Sequence, residues 1–440
     1  MEKRKSVLKI TLITALFSAL IILLPVLLTP QGDVYVQTPE PVILETVTPE
    51  LTLEERQANL RRPPQLTREQ FLEDFDYLMQ ALEENFPTFG IVYRREGVDL
   101  RQLGADLREH IADPSTELDY VVFWHILRTD FFDHAQRVGH LSVASYNFFQ
   151  DTRGVIPWSL TTRRTYDYFG ELLRLEYQPP DPDTHLLETR IIEDGRIAFL
   201  YDATLSFRAT PEILEENKLA VDEFYSQIAG FEHLIIDIRD ITGGFPRIFK
   251  DAVVSPLINE PMETTFHHFY KDGAYNRPHM RGVKNIFEIH PFNLEDVEEI
   301  FPNVTLSDDV LADLSNMDFY FPRTFTIYPD PERTASFNGK VWLLVNYNNF
   351  SATQHIASLF HQTDFATLVG ETTGGAAVDG GIGSQYFYLP NTGFLIRYDT
   401  AYIVSADGRP WEYGTQPHHF NREGMDALET VLALIAEGNY

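Results

Sequence analysis

The sequence predicts an α/β core with a small helical domain on its N-terminal side. Residues 234–238 (Leu-Ile-Ile-Asp-Ile) and 341–345 are short apolar runs of the length and branching that suit buried parallel strands. Helical patterns at 212–229 and 351–360 alternate with these strands, and that alternation marks an α/β architecture. Upstream, between residues 66 and 135, apolar residues recur at helical spacing.

The elements follow in chain order. Lys3, Arg4, Lys5 and Lys9 flank an apolar stretch over residues 10–28, long enough for one transmembrane helix. The basic flank keeps the N-terminus in the cytoplasm, so the rest of the chain is expected outside it. A cleaved signal peptide is the competing reading, but Thr29, Pro30 and Gln31 offer no small-x-small cleavage site. Residues 1–30 are therefore read as a signal anchor in the cell membrane, and 31–65, rich in Pro, Thr and Glu, as a solvated linker. Thr67 caps a first helix bearing Phe71, Phe75, Leu78, Met79 and Leu82 at helical spacing. Further helices are expected over 100–111 and 116–132, making 66–140 the helical domain and 141–440 the α/β core. Within that core lie a strand at 197–201, a hairpin pairing 385–389 with 394–398 around Pro390–Gly393, and a closing helix over 426–436.

Composition excludes several functions. The 440 residues are 44% hydrophobic and 13% aromatic, which is the make-up of a folded globular chain. A net charge of -30 repels nucleic acid. With no Cys there is no disulfide, no thiolate nucleophile and no Cys-ligated zinc. No His-Glu-x-x-His or phosphate-loop pattern occurs, and nothing in the sequence requires a metal or organic cofactor.

Three places can carry chemistry. Ser351 follows a strand and a polar turn and opens a helix, where unpaired N–H groups can stabilise an oxyanion. The same Ser351 with Gln354 also spells a capping box, the commoner use of serine at a helix start. Gly243 and Gly244 end the strand at 234–238, where glycines permit positive φ and close approach, as a second oxyanion donor or as a plain turn. His140, in Val-Gly-His-Leu-Ser at the end of the helical region, is a candidate proton acceptor or an ordinary boundary residue. His267 and His268, among aromatics, read as packed or solvent-facing instead of catalytic, and the stretch from Gly374 to Gly383 reads as a flexible loop.

Several segments together resemble the C-terminal processing (tail-specific) serine peptidases, in particular the branch related to the tricorn core. Asp237-Ile-Arg239-Asp-Ile-Thr-Gly243-Gly244 is similar to that family's Asp-x-Arg-x-Asn-x-Gly-Gly strand. Ser351-Ala352-Thr353-Gln354 is similar to its Ser-Ala-x-Glu, and Val369-Gly370-Glu371-Thr372-Thr373-Gly374 to its Val-Gly-Glu-x-Thr-x-Gly. Gly139-His140-Leu141 and Glu412-Tyr-Gly414-Thr-Gln-Pro417 complete the order.

The resemblance implies a crotonase-like β/α core and a peptide or protein substrate. It implies Ser351 as nucleophile, His140 as general base, and Glu412 in the polar network that orients the base. The oxyanion hole would be built from the N–H groups of Gly243 or Gly244 and of Ala352. The chain departs from the family pattern at four places. Ala376 and Ala377 follow the Thr-x-Gly segment where the Ser–Lys branch has its base, which turns the role to His140. Gly139 stands where the tricorn branch has Ser, Gln354 replaces Glu, and His418 replaces Asp. The span between Val143 and Gly195 is too short for a PDZ domain. A catalytically silent binding protein, or an esterase or amidase for a small ligand, would share this sequence pattern.

Overall fold

The computed structural model describes residues 63–152, 159–172, 187–202, 211–244, 246–284, 288–332, 335, 337–376 and 384–438. The expected anchor, the linker up to residue 62, and residues 377–383 of the glycine-rich stretch lie outside these residues. Among the described residues no helix is long and apolar enough to cross a membrane.

The N-terminal part is helical for local reasons. Helix α1 (Arg68–Asn85) opens on a capping box in which Thr67 and Gln70 satisfy each other's backbone N–H, and it buries Phe71, Phe75, Leu78 and Leu82. Helices α2 (Phe89–Glu96) and α3 (Leu100–Ala112) follow, the latter capped by Asp99. Helix α4 (Tyr120–His125) begins later than the expected residue 116, because the Asp119 carboxylate accepts from the Val121 and Val122 amides at 2.8 and 2.9 Å. It continues through a widened π turn (Ile126–Phe131) and a 3-10 turn (Phe132–Ala135). Helices α5 (Tyr146–Thr152) and α6 (Leu160–Leu172) occupy part of the span before the central sheet.

Thirteen strands among the described residues form three sheets. In chain order they are β1 (Ser142–Val143), β2 (Leu187–Glu193), β3 (Ile197–Asp202), β4 (His233–Asp237), β5 (Met262–Tyr270), β6 (His290–Pro291) and β7 (Phe319–Ile327). They continue as β8 (Lys340–Val345), β9 (Thr367–Gly370), β10 (Ser384–Tyr388), β11 (Leu395–Asp399), β12 (Ala401–Ser405) and β13 (His419–Phe420). The central sheet runs β13-β9-β8-β4-β3-β2, parallel throughout except for the antiparallel edge strand β2. Helices α7 (Pro211–Gln227), α8 (Ala352–Gln362) and α9 (Ala427–Glu437) accompany it.

The all-apolar run in β4 follows from burial on both faces. Leu234 and Ile236 pack with Leu343, Val345 and Ile356 on one side. Ile235 packs with Trp342, Leu344 and Val431 on the other. A second sheet, β12-β5-β7-β6, is antiparallel and covers the first of these faces through Phe266, Tyr270 and Phe321. Its long strands β5 and β7 were not legible in advance, because their polar and aromatic residues alternate without a local turn to pair them. His267 and His268 are buried there, the packed of the two readings the sequence left open, and burial depresses both, to about 4 and about 3. The third sheet, β1-β11-β10, contains the expected hairpin.

The helical part shares one apolar core with that third sheet and with β12. Phe75, Phe123 and Phe131 belong to the same cluster as Phe394, Ile396, Tyr398 and Val404. Asp74 of α1 reinforces the joint by accepting from the Asn391 and Thr392 amides of the hairpin turn, each at 2.7 Å.

Candidate active site

Ser351 sits between β8 and α8 at φ 61° and ψ -115°, a left-handed conformation that a non-glycine residue holds only under strain. Its side chain makes no cap hydrogen bond. The capping-box reading is therefore corrected: the β8-to-α8 turn rotates Ser351 away from the first amides of the helix it opens. Gln354 is engaged elsewhere. Its Nε2 donates to Thr415 Oγ1 at 3.1 Å, and its Oε1 accepts from the Thr373 hydroxyl and the Thr415 amide.

The elbow is braced by buried polar residues. Asn349 donates from Nδ2 to Ile238 O and accepts from the Asn346 amide at 2.8 Å. Thr353 Oγ1 donates to Ile241 O at 2.9 Å. These bonds press the end of β4 against the Ser351 turn. Gly243, at φ 125°, lies so near that a Cβ there would stand 3.0 Å from Ser351 Cβ and 3.5 Å from Ser351 Oγ. Glycine is required at that position by space and by dihedral angle. Gly244 follows at φ 145°, and neither its amide nor those of Gly243 and Ala352 is hydrogen-bonded among the described residues.

His140 comes from the other end of the chain. Gln136, Arg137, Gly139 and His140 all have positive φ, a tight left-handed turn between the helical part and β1. Register then sets its partner. Ser142 of β1 pairs with Arg397 of β11, and two residues back along the same antiparallel direction His140 meets Asp399. Nδ1 of His140 lies 2.6 Å from Asp399 Oδ2. Asp399 Oδ1 accepts from Ser384 Oγ at 2.7 Å. The imidazole packs on the ring of Phe350, the residue before Ser351, with centroids 4.7 Å apart. The structure thus brings His140 and Ser351 to one place, without a direct hydrogen bond between them.

Electrostatics set the protonation states. Burial depresses the His140 pKa and outweighs the raising influence of Asp399, so the imidazole is neutral at pH 7. Burial works to raise Asp399, but the interactions with His140, Arg397 and Ser384 overcome it and hold the carboxyl below its ordinary value. Glu412 is fully buried, and burial followed by the nearby Asp399 charge pushes it up to about 8. Its Oε2 accepts from the Gly139 amide at 3.1 Å, so it holds the turn before His140, while the carboxylate on the imidazole is that of Asp399. Sequence reasoning did not nominate Asp399. It lies one residue past the expected hairpin strand 394–398.

The glycine-rich stretch is also different from expectation over its described part. Gly374 and Gly375 are clamped, not a loose loop: Arg95 of α2 donates to Gly374 O at 3.1 Å and to Glu412 O at 2.7 Å. Gly375 pairs with Phe350 and passes Glu412 O so closely that a Cβ would come within 2.3 Å. His418 accepts the Leu368 amide at 2.9 Å and stacks on His361, and His419 begins strand β13. Among the described residues no group of three or more His, Asp or Glu side chains is arranged to hold a metal ion.

Peptidase family S41 matches residues 206–419, which take in Gly243, Ser351, Asp399 and Glu412 and lie downstream of His140. No curated protein matches the sequence. Among solved structures, the chain is similar to a putative peptidase from Parabacteroides merdae at 18% identity, covering 82% of this chain and 96% of that one with a TM-score of 0.50. It is similar to mature CPAF complexed with lactacystin at 13% identity, covering 84% and 99% with a TM-score of 0.54. Mature CPAF alone gives 14% identity, 80% and 92% coverage and a TM-score of 0.50. These structures share the fold.

Proposed function

We propose, from the premise that this chain belongs to peptidase family S41 through residues 206–419 and is a serine-type peptidase, that it cuts peptide bonds through an acyl-enzyme on Ser351. The observation that carries this reading is the pairing of a strained Ser351 elbow with a buried, neutral His140 held by Asp399. The fold is read as crotonase-like in its core. In the first step Ser351 Oγ attacks the scissile carbonyl carbon, and His140 Nε2 takes the hydroxyl proton. The C–N bond then breaks as His140 passes that proton to the leaving amine. In the second step a water gives a proton to His140 and attacks the acyl carbon, and the proton returns to Ser351 as the acid departs.

Asp399 keeps the Nδ1 proton in place and stabilises the imidazolium that forms transiently. Gly243, Gly244 and Ala352 supply the N–H donors for the oxyanion, each donor being worth about 3 kcal/mol. Glu412, protonated at pH 7, belongs to the network that orients the base by holding Gly139. The missing Ser351–His140 hydrogen bond is consistent with a site that tightens when substrate binds. The basic, apolar N-terminus supports a placement on the outer face of the membrane, single-pass, with the catalytic part outside.

The test is hydrolysis of a peptide library by the purified protein, with intact mass measured after rapid acid quench. The expected result is cleavage with a transient acyl adduct, lost in Ser351→Ala and reduced at least a thousand-fold in His140→Ala. Cleavage that persists in Ser351→Ala would refute the assignment. A folded wild-type protein that neither cleaves nor forms an adduct would favour a binding role.

A further inference from the structure

Among the described residues, two guanidinium groups beside the site form no close ion pair, although one of them, Arg397, acts on the Asp399 carboxylate at longer range. The chain has 65 acidic residues against 35 Lys plus Arg, and most arginines around the site are paired with carboxylates. Arg94 pairs with Asp313, Arg95 with Glu96, and Arg239 with both Asp237 and Asp426. Arg137 and Arg397 form no ion pair among the described residues. Arg137 is exposed, and its guanidinium lies 5.6 Å from the centre of the Phe350 ring, the same ring on which His140 packs. Its backbone is held at φ 67°, in the left-handed turn that delivers His140. Arg397 projects from β11 two residues before Asp399 and donates to Ser384 Oγ at 3.3 and 3.1 Å. Both positive charges act on the imidazole and help to lower its pKa.

The placement is chemically pointed. A guanidinium steadied on an aromatic face is pre-organised and weakly hydrated, and its unsatisfied N–H groups match the two oxygens of a carboxylate. Ser384 already occupies one edge of Arg397, which leaves Arg137 as the exposed donor. We propose that Arg137, with Arg397 adding to the field behind it, takes a carboxylate of the peptide substrate close to the scissile bond. The inference rests on the serine-peptidase reading and adds a specificity to it. That carboxylate is an Asp or Glu side chain flanking the cleaved bond.

The experiment walks a single Glu through the positions flanking the cleaved bond, each peptide paired with its Gln counterpart, and each made with a free and an amidated C-terminus. Wild type is expected to prefer one carboxylate placement by about tenfold in kcat/KM, mainly through KM. Arg137→Gln should bring the preferred and neutral peptides level, Arg137→Lys should keep part of the preference, and Arg137→Glu should favour a Lys at that place. Removing the Arg137 charge should also move the acid limb of the pH profile upward, because that charge depresses His140. A preference for an internal Glu that disappears in Arg137→Gln supports the proposal, and a preference that follows only the free C-terminus overturns it. Equal rates for all pairs in wild type would overturn it while leaving the peptidase intact. Absence of cleavage together with absence of covalent trapping at Ser351 would overturn both.

Discussion

Asp399 and Glu412 are two buried acids on one histidine turn, and their surroundings split their roles. Asp399 meets the imidazole at 2.6 Å and is held ionised, whereas Glu412 is pushed up to about 8 and meets the Gly139 amide. Asp399→Asn should therefore lower kcat on the order of ten-thousand-fold, because the Asn amide favours the wrong imidazole tautomer. Glu412→Gln copies the form already present at pH 7 and should cost much less. The pH profile of kcat/KM separates them further. On the proposed mechanism His140 acts in its neutral form, so activity should be lost as pH falls through its folded pKa, which lies below the ordinary 6.5. Any inflection near pH 8 belongs to Glu412 and should vanish in Glu412→Gln; equal losses in the two variants would contradict this division. Ser351 and Gly243 were legible as residues, because a strand running into a polar turn or paired glycines leaves a local pattern. The His140–Asp399 contact was not, since it spans 259 residues and is set by strand register alone.

Among the elements, helices were the most legible, since caps such as Thr67 and Asp426 declare their starts. The start of α4 was misplaced by four residues, because the Asp119 carboxylate caps the helix at Tyr120. Hairpin β10–β11 was legible from its turn, but its anchoring was hidden. The Asp74 carboxylate accepts from two turn amides and, at 2.6 Å, from the Thr392 hydroxyl. Because β11 ends in Asp399, this clamp also positions the site. Asp74→Ala strands buried donors and is expected to destabilise the protein by about 3 kcal/mol, read as a lower urea midpoint with unchanged slope. A shift below 0.5 kcal/mol would mean that the turn holds itself.

At the scale of the whole molecule, the α/β class was legible because parallel strands buried on both faces leave continuous apolar runs. The shared core between the helical part and the third sheet was not, because it is made of contacts between residues hundreds apart. That core explains why the site draws on three separate parts of the fold. Ser351 stands on the central sheet, Asp399 on the third sheet, and His140 on the turn leaving the helices. Reaction with a fluorophosphonate probe, with the labelled residue located by mass spectrometry, tests this assembly most directly. The account predicts one adduct, on Ser351, formed by wild type and strongly slowed in His140→Ala and Asp399→Asn proteins that remain folded. An adduct on another serine, or labelling of Ser351 at the wild-type rate without His140, would contradict it.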